Sequence, residues 1–285
     1  MKKRRQPIVT TKYVLSSKSL PTMRIALVAD LHERDGAYVV DILGKEKPDL
    51  ILAAGDILER CTPGESEYTQ KMINEWQGYV NDGSLRYKFI RFLLHAGDFL
   101  HVRDQKFSGG MSFLEQISKI APVYYGVGNH EWYFYPEDLE FFDKCGITLL
   151  DNRHTQTDFL SAQGPVQVGG LSTRHDLAWL DTFAAVKGSK ILICHQPEYY
   201  KKFIRGTKRD TFDLIVSGHV HGGQLRIGKR GVLAPGQGFF PELIYGVYDD
   251  KLVISSGLSN TTSVPRWGNP MEVVIIDIIK SSPNQ

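Results

Sequence analysis

Short apolar runs alternate with amphipathic stretches along most of the chain. The run 24–29 predicts a buried strand that leads to Asp30, and the run 50–54 predicts a second strand that leads to Asp56. Between them, apolar residues recur on one face of a helix, which Pro48 ends. A strand, a helix and a strand in about 30 residues predict a β-α-β unit of a largely parallel sheet.

The same arrangement recurs further along the chain, where apolar runs again stop at polar residues. Such runs predict strands at 122–127, 190–194 and 213–217, which lead to Asn129, His195 and His219. Three more runs predict strands at 231–234, 252–255 and 273–279. Because ligands bind at the carboxyl ends of strands in α/β sheets, five segments are predicted to bring Asp, Asn and His to one edge of one sheet.

The stretch 60–115 departs from this alternation, because its apolar residues recur at helical spacing. It predicts a helical insertion on the sheet rather than a separate domain. No linker rich in Pro, Gly or Ser divides the chain. The predicted organisation is an N-terminal tail over residues 1–20 and a single domain over residues 21–285.

The composition is that of a folded protein with one sizeable core. Of the 285 residues, 42% are hydrophobic and 23% are charged, which excludes a disordered chain or a collagen-like repeat. The net charge is +2, and the four basic residues at 2–5 account for more than that excess. The rest of the chain lacks the basic field that drives nonspecific nucleic-acid binding, so a small-molecule substrate is expected instead.

Cysteine content and the N-terminus bear on the compartment. The chain has 3 cysteines and no C-x-x-C pair, which favours a reducing, cytoplasmic environment. No run of about 18 apolar residues is present that could span a bilayer. Residues 2–5 are either a solvated tail or a weak peripheral attachment to anionic lipid at the inner face of the membrane. No obligate protein partner is evident.

Five of the 9 histidines lie in short motifs at predicted strand ends. The motifs are Asp30-Leu31-His32, Gly55-Asp56-Ile57-Leu58-Glu59, Gly128-Asn129-His130-Glu131, Cys194-His195 and Gly218-His219-Val220-His221. Oxygen and imidazole ligands without thiolate suit Zn²⁺, Mn²⁺ or Fe. About seven ligands exceed what one tetrahedral ion takes, so two ions sharing one carboxylate are the simplest interpretation.

The order of these motifs resembles the calcineurin-like metallophosphoesterase superfamily over residues 24–221. The last motif continues as Gly222-Gly223-Gln224, which resembles the bacterial phosphodiesterase branch with the motif G-H-x-H-G-G-Q. The resemblance implies an α/β fold of layered mixed β-sheets flanked by helices, with a metal site at the carboxyl ends of strands. It also implies a hydrolase of phosphoric esters, and most simply a phosphodiesterase, whose nucleophile is a hydroxide bridging two divalent ions of manganese, zinc or iron.

The resemblance further implies a role for each motif residue. The implied ligands are Asp30, His32 and His221 for the first ion, Asn129, His195 and His219 for the second, and Asp56 as the ligand shared by both. His130 is implied to act on the substrate, either by stabilising charge on the phosphate or as a general acid. Glu59 is implied to orient His130.

Two alternatives concern individual residues. Asp98 follows an apolar run and a glycine, as Asp56 does, and could supply the shared carboxylate instead. Asp56 is preferred because it closes the first β-α-β unit and is followed by Glu59 at the expected offset. A thiol nucleophile at Cys194 beside His195 is disfavoured, because adjacent residues of a strand point to opposite faces.

Two further alternatives concern the class of function. The chain could be a non-catalytic metal-binding scaffold of the same fold, although a scaffold has little use for His130. It could also be a nuclease, which needs a basic groove with stacking aromatic side chains. The basic residues within 201–209 are instead expected at an exposed helix end, which favours a small-molecule or lipid phosphoester as substrate.

A glycine-bounded apolar loop at 238–246 follows the metal-binding histidines. It begins with Phe239 and Phe240 and carries more apolar side chains than a solvated loop needs, and exposed apolar patches usually mark binding surfaces. The loop is predicted to border the site and receive an apolar leaving group, with Phe239 and Phe240 binding the substrate. The alternative is that these aromatic residues pack on the body of the protein.

Overall fold

The computed structural model of the chain describes residues 8–60, 109–131, 133–157, 165–228, 230–234, 237–260 and 266–281. The strands, in chain order, are β1 (Ile8–Ser17), β2 (Met23–Val28), β3 (Leu50–Ala53), β4 (Val123–Gly126), β5 (Thr148–Leu150), β6 (Arg153–Thr157), β7 (Val166–Leu171), β8 (Ser189–Cys194), β9 (Leu214–Ser217), β10 (Arg226–Ile227), β11 (Arg230–Gly231), β12 (Leu233–Ala234), β13 (Gly238–Phe239), β14 (Gly246–Tyr248), β15 (Leu252–Ile254) and β16 (Met271–Lys280). The α-helices are α1 (Ala37–Glu46), α2 (Gly109–Ser118), α3 (Pro136–Cys145) and α4 (Leu177–Ala185). Within the described ranges, no helix has the length and apolar character needed to cross a bilayer.

Two six-stranded mixed sheets form most of the described structure. The first sheet has the order β1-β16-β2-β3-β4-β5, and the second has the order β14-β15-β9-β8-β7-β6. The predicted α/β fold of layered mixed sheets is therefore confirmed, but the prediction that all the strand ends belong to one sheet is wrong. Strands at the centre of both sheets are buried on both faces, so their apolar runs look alike and do not show which sheet a strand joins.

The main core lies between the two sheets. Side chains such as Leu27 and Leu52 of the first sheet meet Ile191 and Val216 of the second. The outer face of the first sheet is covered by α1, α2 and α3, and that of the second by α4 and a π-helical turn at Tyr200–Ile204. Burial on both faces explains the continuous apolar runs of β3, β8 and β9.

Residues 8–17 belong to the first sheet rather than to an N-terminal tail, so that prediction is wrong for them. β1 pairs in parallel with β16 along its whole length, from Ile8 opposite Met271 to Ser17 opposite Lys280. Tyr13 and Leu15 pack against the core and alternate with exposed residues. An edge strand with one buried face alternates apolar and polar positions, so it lacks the apolar run on which the prediction relied.

Three other predicted elements have different outcomes in the structure. The helix predicted before Pro48 is confirmed as α1, which buries Val39 and Leu43. The single strand predicted at 231–234 is instead divided between β11 and β12, each paired with a different two-residue strand. The helical insertion stays a prediction, because residues 61–108 lie outside the described ranges.

Candidate metal centre

The carboxyl ends of strands from both sheets meet at one place. Asp30, Asp56 and Asn129 lie just beyond β2, β3 and β4 of the first sheet, and His195 and His219 lie just beyond β8 and β9 of the second. Because the sheets pack face to face, their strand ends supply side chains to a common space from two sides. This arrangement replaces the single sheet edge expected from the sequence.

Three groups of ligand-type side chains occur among the described residues, each with its donor atoms within 4.8 Å of one another. The groups are Asp30 with His32 and His221, Asp56 with His195 and His219, and His32 with Glu59 and His130. The first two groups match the implied ligand sets of two ions. Asn129 adjoins the second group, because its Oδ1 atom lies 3.1 Å from Nε2 of His195.

The Asp56 carboxylate lies between these groups. Its Oδ2 atom is 3.1 Å from Nε2 of His195, 3.8 Å from Nε2 of His32 and 4.0 Å from Nε2 of His130. Its Oδ1 atom accepts the backbone N–H of His130 at 2.9 Å. The Asp56 carboxylate therefore faces imidazoles that belong to different groups.

The backbone is left-handed at five of the seven implied ligands. Positive φ angles occur at Asp30 (56°), His32 (50°), Asp56 (54°), His219 (70°) and His221 (44°). Such angles are uncommon outside glycine and cost about 1–3 kcal/mol each unless the surroundings enforce them. Here they turn successive polar side chains toward one space, whereas an extended strand would point them alternately to opposite faces.

Two motif glycines are required by close approach of carboxylates from other strand ends. A Cβ atom at Gly128 would lie 2.1 Å from Oδ1 of Asp56, and one at Gly218 would lie 2.7 Å from Oδ2 of Asp30. Both distances are shorter than a nonbonded contact allows. The glycine therefore precedes the ligand in each motif because a carboxylate occupies the space of its missing side chain.

Burial and mutual charge set the pKa values in the cluster. Burial opposes ionisation of Asp56, but His195 and other imidazoles outweigh it and hold its pKa well below the usual range. Burial raises the pKa of Asp30, although His195 acts in the opposite direction. Burial lowers the pKa of His219 to about 3 and that of His221 well below its usual value. Both imidazoles are therefore neutral, which is the form that binds metal.

Glu59 contacts two imidazoles at once. Its Oε1 atom lies 2.6 Å from Nδ1 of His32, and its Oε2 atom lies 2.8 Å from Nδ1 of His130. Burial opposes ionisation of Glu59, but the hydrogen bonds from both histidines bring its pKa to about 2. An ionised carboxylate only accepts hydrogen bonds, so both rings carry their proton on Nδ1 and direct Nε2 toward Asp56.

The donor set fits divalent metal ions. Nε2 of His32 is buried, has no hydrogen-bond partner and lies 3.8 Å from Asp56, as a ligand atom would. Nδ1 of His195 donates to the carbonyl of Ala54 at 2.5 Å, which fixes the ring with Nε2 toward Asp56. Burial opposes protonation of His195, yet Asp56 raises its pKa to about 9, so the positively charged form of the ring is favoured while no metal is bound.

Glu131 supports the site in a way that the sequence did not indicate. Its buried carboxylate accepts the backbone N–H groups of Ile57 at 2.9 Å, Leu58 at 3.0 Å and Gly128 at 2.8 Å. It also accepts the hydroxyl of Tyr125. One carboxylate thus joins the loop after β3 to the loop after β4. The available signal was its place directly after His130 in the motif.

The loop that carries His221 is held by residues from far along the chain. Nη2 of Arg266 lies 3.0 Å from Nδ1 of His221, and Nη1 donates to the carbonyl of Ser256 at 2.6 Å. Nδ2 of Asn269 donates to the His221 carbonyl at 2.5 Å and to the Gln224 carbonyl at 3.2 Å. More than 40 residues separate these partners from His221, and no spacing rule connects them.

The predicted substrate loop packs beside the segment that follows His221. Leu243 and Ile244 are buried, so packing on the body accounts for them. Phe239 is half-buried, whereas Phe240 is 74% exposed and has a φ angle of 54°. The packing alternative therefore does not explain Phe240.

Two alternatives from the sequence have different outcomes. Cys194 is fully buried in the core of the second sheet, its Sγ lies 3.3 Å from the carbonyl of Gln196, and burial raises its pKa. These features agree with a small buried residue and not with a nucleophile. Asp98 lies outside the described residues.

Carboxylate, amide and imidazole donors at the ends of two facing sheets form a candidate metal-binding site. The family model for calcineurin-like phosphoesterases matches residues 23–223, which contain every implied metal ligand. The chain therefore belongs to the calcineurin-like phosphoesterase family.

Several curated proteins resemble the chain. An uncharacterised metallophosphoesterase of Campylobacter jejuni is 28% identical over 192 residues, which are 64% of this chain and 49% of that protein. YkoQ of Bacillus subtilis, also named an uncharacterised metallophosphoesterase, is 29% identical over 197 residues, which are 64% of this chain and 70% of YkoQ. A Danio rerio transmembrane protein with a metallophosphoesterase domain is 27% identical over 139 residues, which are 43% of this chain and 31% of that protein. The chain spans about half the length of the first relative and under a third of the last.

Proposed function

We propose that the protein is a binuclear metal-dependent phosphodiesterase. The proposed ligands are Asp30, His32 and His221 for one ion, Asn129, His195 and His219 for the other, and Asp56 for both. The position of the Asp56 carboxylate carries this proposal, because Oδ2 is 3.1 Å from Nε2 of His195 in one group and 3.8 Å from Nε2 of His32 in the other. A pair of bound ions lowers the pKa of a shared water and stabilises charge on the phosphoryl oxygens.

The remaining site residues manage protons. Glu59 accepts the Nδ1 proton of His130, which leaves Nε2 of that ring facing the metal-binding carboxylate of Asp56 at 4.0 Å. The His130 side chain is 24% exposed, whereas the side chains of His32 and His195 are 2% and 0% exposed. His130 is thus the most exposed of these three imidazoles. With both ring nitrogens protonated and the charge balanced by Glu59, it would stabilise the phosphate or transfer its Nε2 proton to the leaving group.

Metal loading is the direct test of the binuclear proposal. After loading with Mn²⁺, elemental analysis is expected to find about two metal equivalents per chain, because two ligand groups lie beside the Asp56 carboxylate that we propose they share. Chelator-treated protein is expected to lose hydrolysis of bis-p-nitrophenyl phosphate and to regain it with Mn²⁺. A stoichiometry of one would contradict the shared site, and chelator-resistant hydrolysis by metal-free protein would contradict the mechanism.

We also propose that Phe239 and Phe240 bind an apolar leaving group. Each side chain buried against substrate contributes about 1.5–3 kcal/mol. The double variant Phe239→Ser/Phe240→Ser is therefore expected to raise KM for a lipid-like phosphodiester much more than for bis-p-nitrophenyl phosphate, with metal content unchanged. Equal changes for both substrates, or no change for either, would reduce the loop to a packing role.

A further inference from the structure

The three most exposed large apolar side chains among the described residues lie close together in the fold. Phe240, Ile227 and Trp267 are 74%, 69% and 66% exposed. All three lie in or directly beside short strands near the His221 loop, because Ile227 is in β10, Phe240 follows β13, and Trp267 forms an isolated bridge with Leu225. We propose that these strands form a surface that docks on an anionic lipid membrane beside the metal centre.

Backbone hydrogen bonds place these residues on neighbouring segments. Leu225 pairs with Trp267, Ile227 pairs with Arg230, and the N–H of Val232 donates to the carbonyl of Leu225 at 2.8 Å. The N–H of Phe240 donates to the carbonyl of Val232 at 3.0 Å. The exposed side of these segments, which we call the outer face, consists of Leu225, Ile227, Arg230, Val232, Phe240 and Trp267.

The opposite side of these strands is already packed. Arg226 lies between Leu225 and Ile227, is buried, and places its guanidinium 3.8 Å from the centre of the Tyr245 ring. Since side chains alternate along a strand, Ile227 points away from that packed side. Within the part of the chain that the structure describes, the outer face is therefore the exposed side of these strands, and the opposite side is packed.

The outer face is continuous with the metal centre. Trp267 follows Arg266, which contacts the His221 ring, and precedes by two residues Asn269, which donates to the His221 carbonyl. The N–H of Arg226 donates to the carbonyl of Trp267 at 2.9 Å. A membrane against this face would lie next to the loop that carries a proposed metal ligand.

The charge near the outer face suits anionic lipid. Arg230 lies on the face itself, and Glu242, the acidic residue closest in sequence to Phe240, already pairs with Lys201 and Arg205. Apolar and aromatic anchors beside the exposed, positively charged Arg230 combine the two kinds of attraction that favour attachment to anionic lipid.

A second protein is a poorer match to this surface. The outer face has six residues, whereas a stable protein–protein interface takes roughly 20–30 residues from each side. Tryptophan, phenylalanine and isoleucine beside arginine form the composition of an interfacial membrane anchor. Docking would present amphiphilic phosphoesters to the metal centre. This consequence for catalysis rests on the proposed function.

The test compares vesicle binding by two double variants of the full-length chain. Ile227→Ser/Trp267→Ser removes two anchors from the outer face, and Val14→Ser/Tyr38→Ser removes apolar groups of similar exposure, 63% and 59%, from β1 and α1. Sedimentation with vesicles of phosphatidylcholine mixed with phosphatidylglycerol is expected to show at least about a tenfold loss of binding for the first variant only. Added salt is expected to weaken wild-type binding.

Several outcomes would overturn the proposal. These are no vesicle binding by the wild type, equal binding by wild type and the outer-face variant, or wild-type self-association that this variant abolishes. Trp267→Phe keeps an apolar anchor and is expected to retain vesicle binding. A general folding defect from changes at this position would instead abolish binding in Trp267→Phe as well. Vesicle binding is measured on chelator-treated protein, so the result does not depend on metal-dependent hydrolysis. The outer-face variant is expected to hydrolyse bis-p-nitrophenyl phosphate at the wild-type rate, and a loss there would assign the face to the metal centre.

Discussion

Asp56→Asn is expected to remove bound metal and hydrolysis together. The substitution replaces a buried carboxylate, which faces imidazoles of both ligand groups, by a neutral amide. One amide oxygen supplies neither the charge nor the second ligand atom that two cations sharing a residue require. Elemental analysis after Mn²⁺ loading is expected to show a clear deficit, and the rate on bis-p-nitrophenyl phosphate is expected to fall to that of chelator-treated protein.

The matched control for this variant is Asp98→Asn. Asp98 follows an apolar run and a glycine in the same way as Asp56 and lies outside the described residues. We expect Asp98→Asn to retain metal and activity, because Asp56 already lies between the two ligand groups. If Asp98→Asn strips the metal and Asp56→Asn does not, the assignment of the shared carboxylate is wrong.

The metal-ligand candidates could be predicted because each one lies in a short polar motif at the end of an apolar run. Asp30 and Asp56 close strands of the first sheet, and His195 and His219 close strands of the second. The position of a residue at a strand end is local information, which an apolar run conveys. The sequence therefore identified which side chains meet, even though it assigned them to a single sheet.

The division into two sheets could not be predicted from the same runs. β3 and β9 are both four-residue strands with every residue buried, yet they belong to different sheets. Strand pairing depends on contacts between distant segments, and burial on both faces removes the alternation that would show orientation. β1 was missed for the opposite reason, because its alternating pattern contains no apolar run.

The residues that support the ligands could not be predicted, because the groups they contact are far away in the sequence. Arg266 and Asn269 contact His221 across more than 40 residues, and Glu131 ties together backbone groups of two loops whose closest points, Leu58 and Gly128, are 70 residues apart. Such contacts arise only after the sheets have packed. The unusual backbone conformation of the site was partly indicated by the sequence, since glycines precede Asp56, Asn129 and His219. Two of these glycines are required because neighbouring carboxylates occupy the space of a side chain.

His130→Ala is expected to keep both metal equivalents and to lose about 10²–10⁴-fold in rate. The ring lies outside the two ligand groups that contain Asp56 and Asp30, so its removal leaves the donors in place. Its Nδ1 proton is held by Glu59, whose pKa of about 2 keeps the carboxylate ionised throughout the neutral range. Glu59→Gln is expected to cause a smaller loss, because the imidazole remains but its tautomer and orientation are no longer fixed.

The leaving group distinguishes the two roles proposed for His130. A general acid matters most when the departing alcohol is a poor leaving group, so His130→Ala should then slow an alkyl phosphodiester more than bis-p-nitrophenyl phosphate. Stabilisation of charge on the phosphoryl oxygens affects both substrates alike, so equal losses would assign His130 to that role. Loss of a metal equivalent in His130→Ala would instead make the residue a ligand, and an unchanged rate on both substrates would remove it from the mechanism. Since Nε2 of His130 lies 4.0 Å from the Asp56 carboxylate and its side chain is 24% exposed, we expect retained metal and the larger loss on the alkyl substrate.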